Sequence, residues 1–328
     1  LRLENVLVFT MDSDNSYTEL GPEFTKYAWW SAVIGDYMKD VETSLRTCAS
    51  DPVKAMEIYD DAWQKMLGVA EDDIRKVSPV LKDIADTISS IPLARKLEDC
   101  PKVLIVGEIY VRRDDFAVEE LIKLFSHHGI VAKVANVIEW FYYCDFVRHY
   151  ELKKRMKLAP WYRRIFTDEF KDLIGWHIEH IYKKKVEKEV RDILSTTNLV
   201  PRTPHNMKEI MKNTENHFVN HELHSEICIS SGVAATAMMD GYSGIVNISP
   251  FACLIGRVIE GIYTPWARQR KYPTISVEID GNLLPPNVLS NLEIFMLNVK
   301  RFRGKDDPLS MVERREEARA SVDRKIIR

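Results

Sequence analysis

The sequence predicts an α/β protein: Rossmann- or flavodoxin-like lobes with mostly parallel sheets and a long helical insertion. Short β-branched runs, at Val6–Thr10, Lys102 to Tyr110, Ile130–Val137, Ile245–Ile248 and Thr274–Asp280, have the continuous hydrophobicity of strands buried on both faces. Helical patterns separate most of them, which is the βαβ rhythm. A highly charged helical stretch from Glu151 to about Leu194 is too long to be an ordinary connection. It reads as an insertion.

In chain order, Val6–Thr10 is a buried strand that runs into the polar loop Met11–Ser16. Gly21-Pro22 then opens a helix that keeps its period to about Arg46, with proline at a first-turn position where its missing N–H costs nothing. Asp51-Pro52 starts a second helix, to Leu67, and a third runs from Glu71 to about Ser89. Pro92–Pro101 reads as a connection between lobes. Residues 1–99 are then the mostly helical end of a first lobe, and 101–304 a second lobe with a helical insertion over about 140–229. Residues 305–328 form a charged tail.

In the second lobe, Gly107-Glu108 ends the first strand and a helix follows from Asp115 to His127. Gly129 caps that helix before the next strand. The aromatic run Val137–Val147 leads into the insertion, which Val200-Pro201 and Thr203-Pro204 break. Met207–Ile229 is expected as one helix that delivers the chain to Ser230-Ser231-Gly232, there to cap a helix over Val233–Met239. The strand Ile245–Ile248 ends in Ser249-Pro250-Phe251, Cys253 follows, and a helix starts at Leu254. A last helix covers Asn287–Val299.

The 328 residues suffice for about two domains. A net charge of −3 supplies no global field that would draw nucleic acid or a membrane surface. No apolar run is long enough for a transmembrane helix. Five scattered cysteines without a CxxC pair argue for a reducing compartment, hence the cytoplasm. The start on Leu1-Arg2, with no signal peptide, reads as a piece of a longer protein. The oligomeric state stays open.

Neither GxxxxGK[ST], GxGxxG nor GxSxG occurs, so the common phosphate loops and the hydrolase elbow are absent from the sequence. Cys253 stands where a strand meets a helix N-terminus. There a thiol faces the ligand-binding end of a sheet and the positive pole of the helix favours its thiolate. The competing reading is a small buried hydrophobe. His217, His221, His224 and Cys228, spaced 4, 3 and 4 apart, would share one face of a single helix, as in a zinc-stabilised segment. One straight helix, however, cannot wrap a metal.

Six pieces stand in a fixed order: DSDNSYTELGPEF (Asp12–Phe24), KVLIVGEIYVR (Lys102–Arg112), EWFYY (Glu139–Tyr143), HSEICISSG (His224–Gly232), NISPFACLIG (Asn247–Gly256) and VEIDG (Val277–Gly281). The ordered set resembles the C-terminal part of the large activase-related proteins of the 2-hydroxyacyl-CoA dehydratase system. Those proteins are similar to the benzoyl-CoA reductase and dehydratase subunits that hold an iron–sulfur cluster. The resemblance implies a [4Fe–4S] or related cluster with Cys253 as a ligand and Cys228 as a second candidate. It also implies that Glu108 and Glu226 line the site. The family's turn continues Met-Pro where this chain has Leu254-Ile255, and its upstream cysteines are not in this chain. A cluster needs about four thiolates, or three with an open iron, so it would be completed from outside.

The function implied is an electron-transfer module of an ATP-driven dehydratase or reductase acting on an acyl-CoA, with ATP bound only by a partner activase domain or subunit. The alternative is a non-catalytic scaffold or interaction module that keeps the fold without the cluster.

Overall fold

The computed structural model describes residues 21–72, 76–158, 160, 167–202 and 206–303. The expected strand Val6–Thr10, the loop after it and the tail from residue 305 lie outside the described residues, as does the Thr203-Pro204 break.

Four strands form one parallel sheet in the order β2-β1-β3-β4: β1 (Lys102–Gly107), β2 (Val131–Val134), β3 (Gly244–Pro250) and β4 (Thr274–Ile279). Lys102 stands beside Val131, Val103 beside Gly244 and Ile245 beside Thr274. This is an α/β, Rossmann-like sheet. Its central strands read as unbroken apolar runs because both faces are covered. Val103 and Ile105 point to one face, packing with Val118, Leu121 and Phe125 of α4 (Asp115–His127) and Leu292 and Phe295 of α10 (Pro286–Arg303). Leu104 and Val106 point to the other, against α8 (Glu226–Met239) and α9 (Leu254–Gln269).

A third core joins α1 (Pro22–Cys48), α2 (Pro52–Asp72), α3 (Val77–Ser89), α5 (Ile138–Leu158) and α6 (Asp168–Ser195) to Val131 of β2. Helix α1 packs on β2 and covers that end of the sheet, which would otherwise be an open template for strand pairing. A buried ion pair fastens it. Lys133 Nζ of β2 donates to both Asp40 carboxylate oxygens at 2.6 and 2.7 Å, and to Asn136 Oδ1 at 2.8 Å.

Several expectations need correction. The stretch Glu151–Leu194 is helical as expected, in two pieces. It belongs to α5, which already starts at Ile138 inside the aromatic run, and to α6. Pro160 lies between them, and the Thr167 hydroxyl accepts the Phe170 N–H at 3.3 Å to start α6. The stretch Met207–Ile229 is also divided: α7 (Met207–His217), a 3-10 turn (His221–Leu223), then α8. The break is made by Asn220 Oδ1 accepting the Glu222 N–H, by His224 in the left-handed region and by Ser225 capping α8. Ser230-Ser231-Gly232 therefore lies inside α8 instead of starting a helix. The third helix begins at Val77 and β2 stops at Val134, both shorter than expected.

Replacing Lys133 by Met should cost about 3–5 kcal/mol in urea unfolding, because Asp40 would be left buried and uncompensated. The double replacement Lys133→Met with Asp40→Leu should recover most of that loss. A single variant as stable as the parent would show that the pair does not hold α1 to the sheet.

Candidate functional site at the sheet switch point

In the order β2-β1-β3-β4 the chain leaves β1 in one direction and later returns to β3 on the other side of it. Connections diverge at the carboxyl ends of β1 and β3, and in open α/β sheets that crevice is where ligands bind. The residues there come from five separate stretches of chain.

From β1 the backbone turns at Gly107, φ +119°, where a Cβ would collide with the Ile248 carbonyl. Only glycine fits that close approach. The Glu108 N–H then donates to Ile248 O at 3.0 Å, and Glu108 Oε2 accepts the Val111 N–H at 2.8 Å. One tight helical turn follows, closed by Arg112 N–H to Glu108 O at 3.1 Å. It carries Arg112 inward, to 3% exposure. Arg113 is held beside it by an ion pair to Asp36 of α1 and by a 3.1 Å bond to Ala135 O.

Asp36 also accepts the Val137 and Ile138 N–H groups, each at 2.9 Å, and so caps α5 from another helix. Glu139, in the first turn of α5, is also 3% exposed. Arg112 Nε is buried without a hydrogen-bond partner among the described residues. Burial pushes the Glu139 carboxyl up to about 7, against the pull of Arg112, Lys133 and the Asn136 N–H. Burial likewise lowers Arg112, with Glu139 and Glu226 opposing. Glu226, half-buried at the start of α8, is raised by burial and by Glu108, while Arg112 and the Ile109 N–H pull it down.

At the end of β3, Ala252 has φ +58°, uncommon for a residue with a side chain, and its N–H donates to Glu278 Oε1 at 3.2 Å. Arg257 Nη2 holds the other Glu278 oxygen at 2.7 Å. Cys253 is the N-cap residue of α9 and is half-buried. Its neighbours Phe251 and Leu254 are 70% and 77% exposed.

Of the residues expected from the sequence, Glu108 and Glu226 come together around Arg112, and Cys253 stands at the mouth of the crevice at the end of the neighbouring strand. Cys228 does not share that exposure. It is fully buried, its thiol directed at Asn220 O at 3.6 Å, and burial raises its pKa. The histidines occupy no common helical face: His221 pairs with Glu215 while His217 lies by Trp266. No group of three or more His, Cys, Asp or Glu side chains is arranged for a metal ion among the described residues. Sequence reasoning missed Arg112 and Glu139 as site residues, although both lie inside quoted motifs. The available signal was a charged residue among apolar and aromatic neighbours, Ile-Tyr-Val-Arg and Ile-Glu-Trp-Phe.

Comparison of the chain with family models, curated proteins and solved structures finds no match.

Because the folded Glu139 carboxyl keeps its proton to about pH 7 and the unfolded one loses it near 4.5, the native state binds the extra proton in between. Stability therefore falls as pH rises through that window and stays lowered above it. Glu139→Gln should match the parent near pH 4.5 and exceed it at pH 8 by roughly 3 kcal/mol in urea unfolding. A difference of equal size at both pH values would refute the assignment.

Proposed function

We propose that this chain is the α/β electron-transfer component of an ATP-driven system acting on an acyl thioester, and that Cys253 supplies one thiolate of an iron–sulfur cluster. The observation that carries the reading is convergence. Five of the six motif pieces behind the resemblance, separated by up to about 170 residues of chain, meet at one carboxyl edge of one sheet. Glu108 bonds to the end of β3, Glu139 and Glu226 face Arg112, and Glu278 holds the turn before Cys253. A segment of Asp12–Phe24, the sixth piece, lies outside the described residues.

The donor set limits what the chain does alone. One half-buried thiol at the N-terminus of α9, at the carboxyl end of β3, is placed where a shared cluster can reach it. A sealed Cys228 with a raised pKa is not, so the reading rests on Cys253. The remaining thiolates would come from outside the described residues, and ATP hydrolysis from a partner domain. The exposed Phe251 and Leu254 around Cys253 are the apolar surface that such a partner would cover.

A second reading, a scaffold that kept the fold without the cluster, rests on Cys253 being a single matched thiol where a cluster needs about three or four. Anaerobic reconstitution of the 328-residue chain together with its ATP-hydrolysing partner separates the two. Bound iron with broad visible absorption, lost in Cys253→Ala and kept in Cys228→Ala, is expected. Equal iron in Cys253→Ala would eliminate the ligand role, and no iron in the parent would favour the scaffold.

A further inference from the structure

We propose that Cys48 and Cys100 form a redox-sensitive clasp: a low-molecular-weight disulfide oxidises the two thiols to a disulfide that fastens the end of α1 to the foot of β1. The inference stands apart from the cluster reading, since it involves neither Cys253 nor iron.

Of the five cysteines, these two are the pair whose sulfurs touch, at 3.9 Å across 52 positions of sequence. Cys48 is the last residue of α1, and Cys100 follows a 3-10 turn over Leu97–Asp99 just before β1. Backbone bonds that owe nothing to the sulfurs hold the two segments side by side. The Ala94 and Arg95 N–H groups donate to Cys48 O at 2.8 and 3.4 Å, the Ser50 N–H donates to Pro92 O at 2.9 Å, and Ala49 pairs with Leu93. A disulfide needs sulfurs about 2.0 Å apart, so each has to move by roughly 1 Å. That is a rotation of two side chains, with the backbone already in place.

Both thiols are sealed, at 0% and 1% exposure, and the contact with Cys100 together with burial raises the Cys48 thiol. At rest the pair is therefore reduced and unreactive. Its cover is thin. Residues 92–96, 98 and 99 are exposed, and Leu97 is the buried side chain among them. A segment with so few apolar contacts opens locally at lower cost than the whole chain unfolds. Opening frees Cys100 first, because Cys48 stays on its helix. The Cys100 thiol loses its proton and attacks one sulfur of the oxidant, displacing one thiolate and leaving a mixed disulfide. As the segment recloses, the Cys48 thiolate attacks the Cys100 sulfur and displaces the second thiolate. Two thiols have then lost two electrons and two protons, and the oxidant has become two thiols.

The closed loop contains α2, which packs on α1, and α3, which packs on α6. A cross-link restricts the unfolded chain over that whole loop, and stabilises more the longer the loop is. It also shuts the local opening of the 92–99 connection. The docking of the helical layer on the sheet thus responds to the thiol–disulfide balance around the protein.

The test incubates the metal-free 328-residue chain, folded and reduced, with glutathione disulfide and maps its cysteines by peptide mass. The expected product is a peptide pair linking Cys48 to Cys100, two hydrogens lighter than the reduced peptides and returned to thiols by dithiothreitol. Oxidation should raise the urea midpoint by roughly 1 M. Neither the link nor the rise should occur in Cys100→Ala. Should that variant not fold, the peptide map and midpoint of the parent still decide. Both thiols left reduced in the folded chain, glutathione retained on either of them as the end product, or a linked chain with an unchanged or lower midpoint would each overturn the proposal.

Discussion

One carboxylate, that of Asp36, sets the geometry on which the site depends. It takes Arg113 from the turn after β1 and the first two N–H groups at the head of α5. Arg113 directly follows Arg112, and Ile138 directly precedes Glu139. A single residue of α1 therefore places the two buried charges of the site relative to each other, though it lies in a separate helix. Four residues further along α1, one turn away on the same face, Asp40 clamps Lys133 of β2. The two contacts lock α1, β2 and the ends of both connections as one unit. A buried pair of this kind is poor evidence of stability in itself, since well-packed apolar residues would do as well. What it provides is register, because a slip of α1 by one residue would leave two carboxylates buried without partners.

The contrast with Arg112 and Glu139 follows from position. Lys133 and Asp40 face each other between a helix and the strand it covers, where nothing can enter. Arg112 and Glu139 lie at the end of a strand, behind a tight turn that ends at the cap of α4. The Asp114 side chain accepts the Ala117 N–H at 3.0 Å there, tying the end of the turn to the start of α4. Glu108 works on the same turn from its other end, through the Val111 N–H. Its role in the structure is to shape the loop as much as to line the crevice.

Much of the architecture was legible because strong local signals agree with the tertiary environment. The continuous apolar runs of β1 and β3 mark strands covered on both faces, and Asp114 before a periodic stretch marks the start of α4, whose predicted and observed limits coincide. The breaks within the insertion were hidden for a physical reason. Between α7 and α8 there is neither proline nor glycine, and the chain is turned by Asn220 and Ser225 side chains that bond backbone donors. Those residues are equally at home on a helix surface. Ser230-Ser231 mimicked a cap because serine is favoured there, yet here the hydroxyls bond Gly107 O and Ile227 O from within α8. For the candidate site, Cys253 stood out from its strand-to-helix turn, and Glu108 and Glu226 came only from the resemblance. Arg112 and Glu139 came from neither. Charged residues in the sequence suggest solvent, and only packing against α1 and α8 shows that these two are buried.

Burial also separates the two cysteines, Cys253 and Cys228, that the resemblance put forward as first and second candidates. Cys228 and Cys253 each follow a helix-start or strand-end motif, and each belongs to a quoted segment. Cys228 is the third residue of α8, where the helix dipole would favour a thiolate, but it points into the core and its pKa is raised. Desolvation there exceeds the dipole. Cys253 keeps the same kind of helix terminus without that enclosure, on a turn whose left-handed Ala252 is held by Glu278. Phe251 and Leu254 flank it in the open, and Tyr110, 75% exposed, projects from the turn after β1. An apolar rim around a polar crevice is the arrangement a covering surface would complete. The thiol and the Arg112–Glu139 pair thus differ in exposure at one edge of the sheet. The thiol is half-buried between open side chains, and the charged pair is enclosed, which is why desolvation and not the neighbouring cations sets the state of the Glu139 carboxyl.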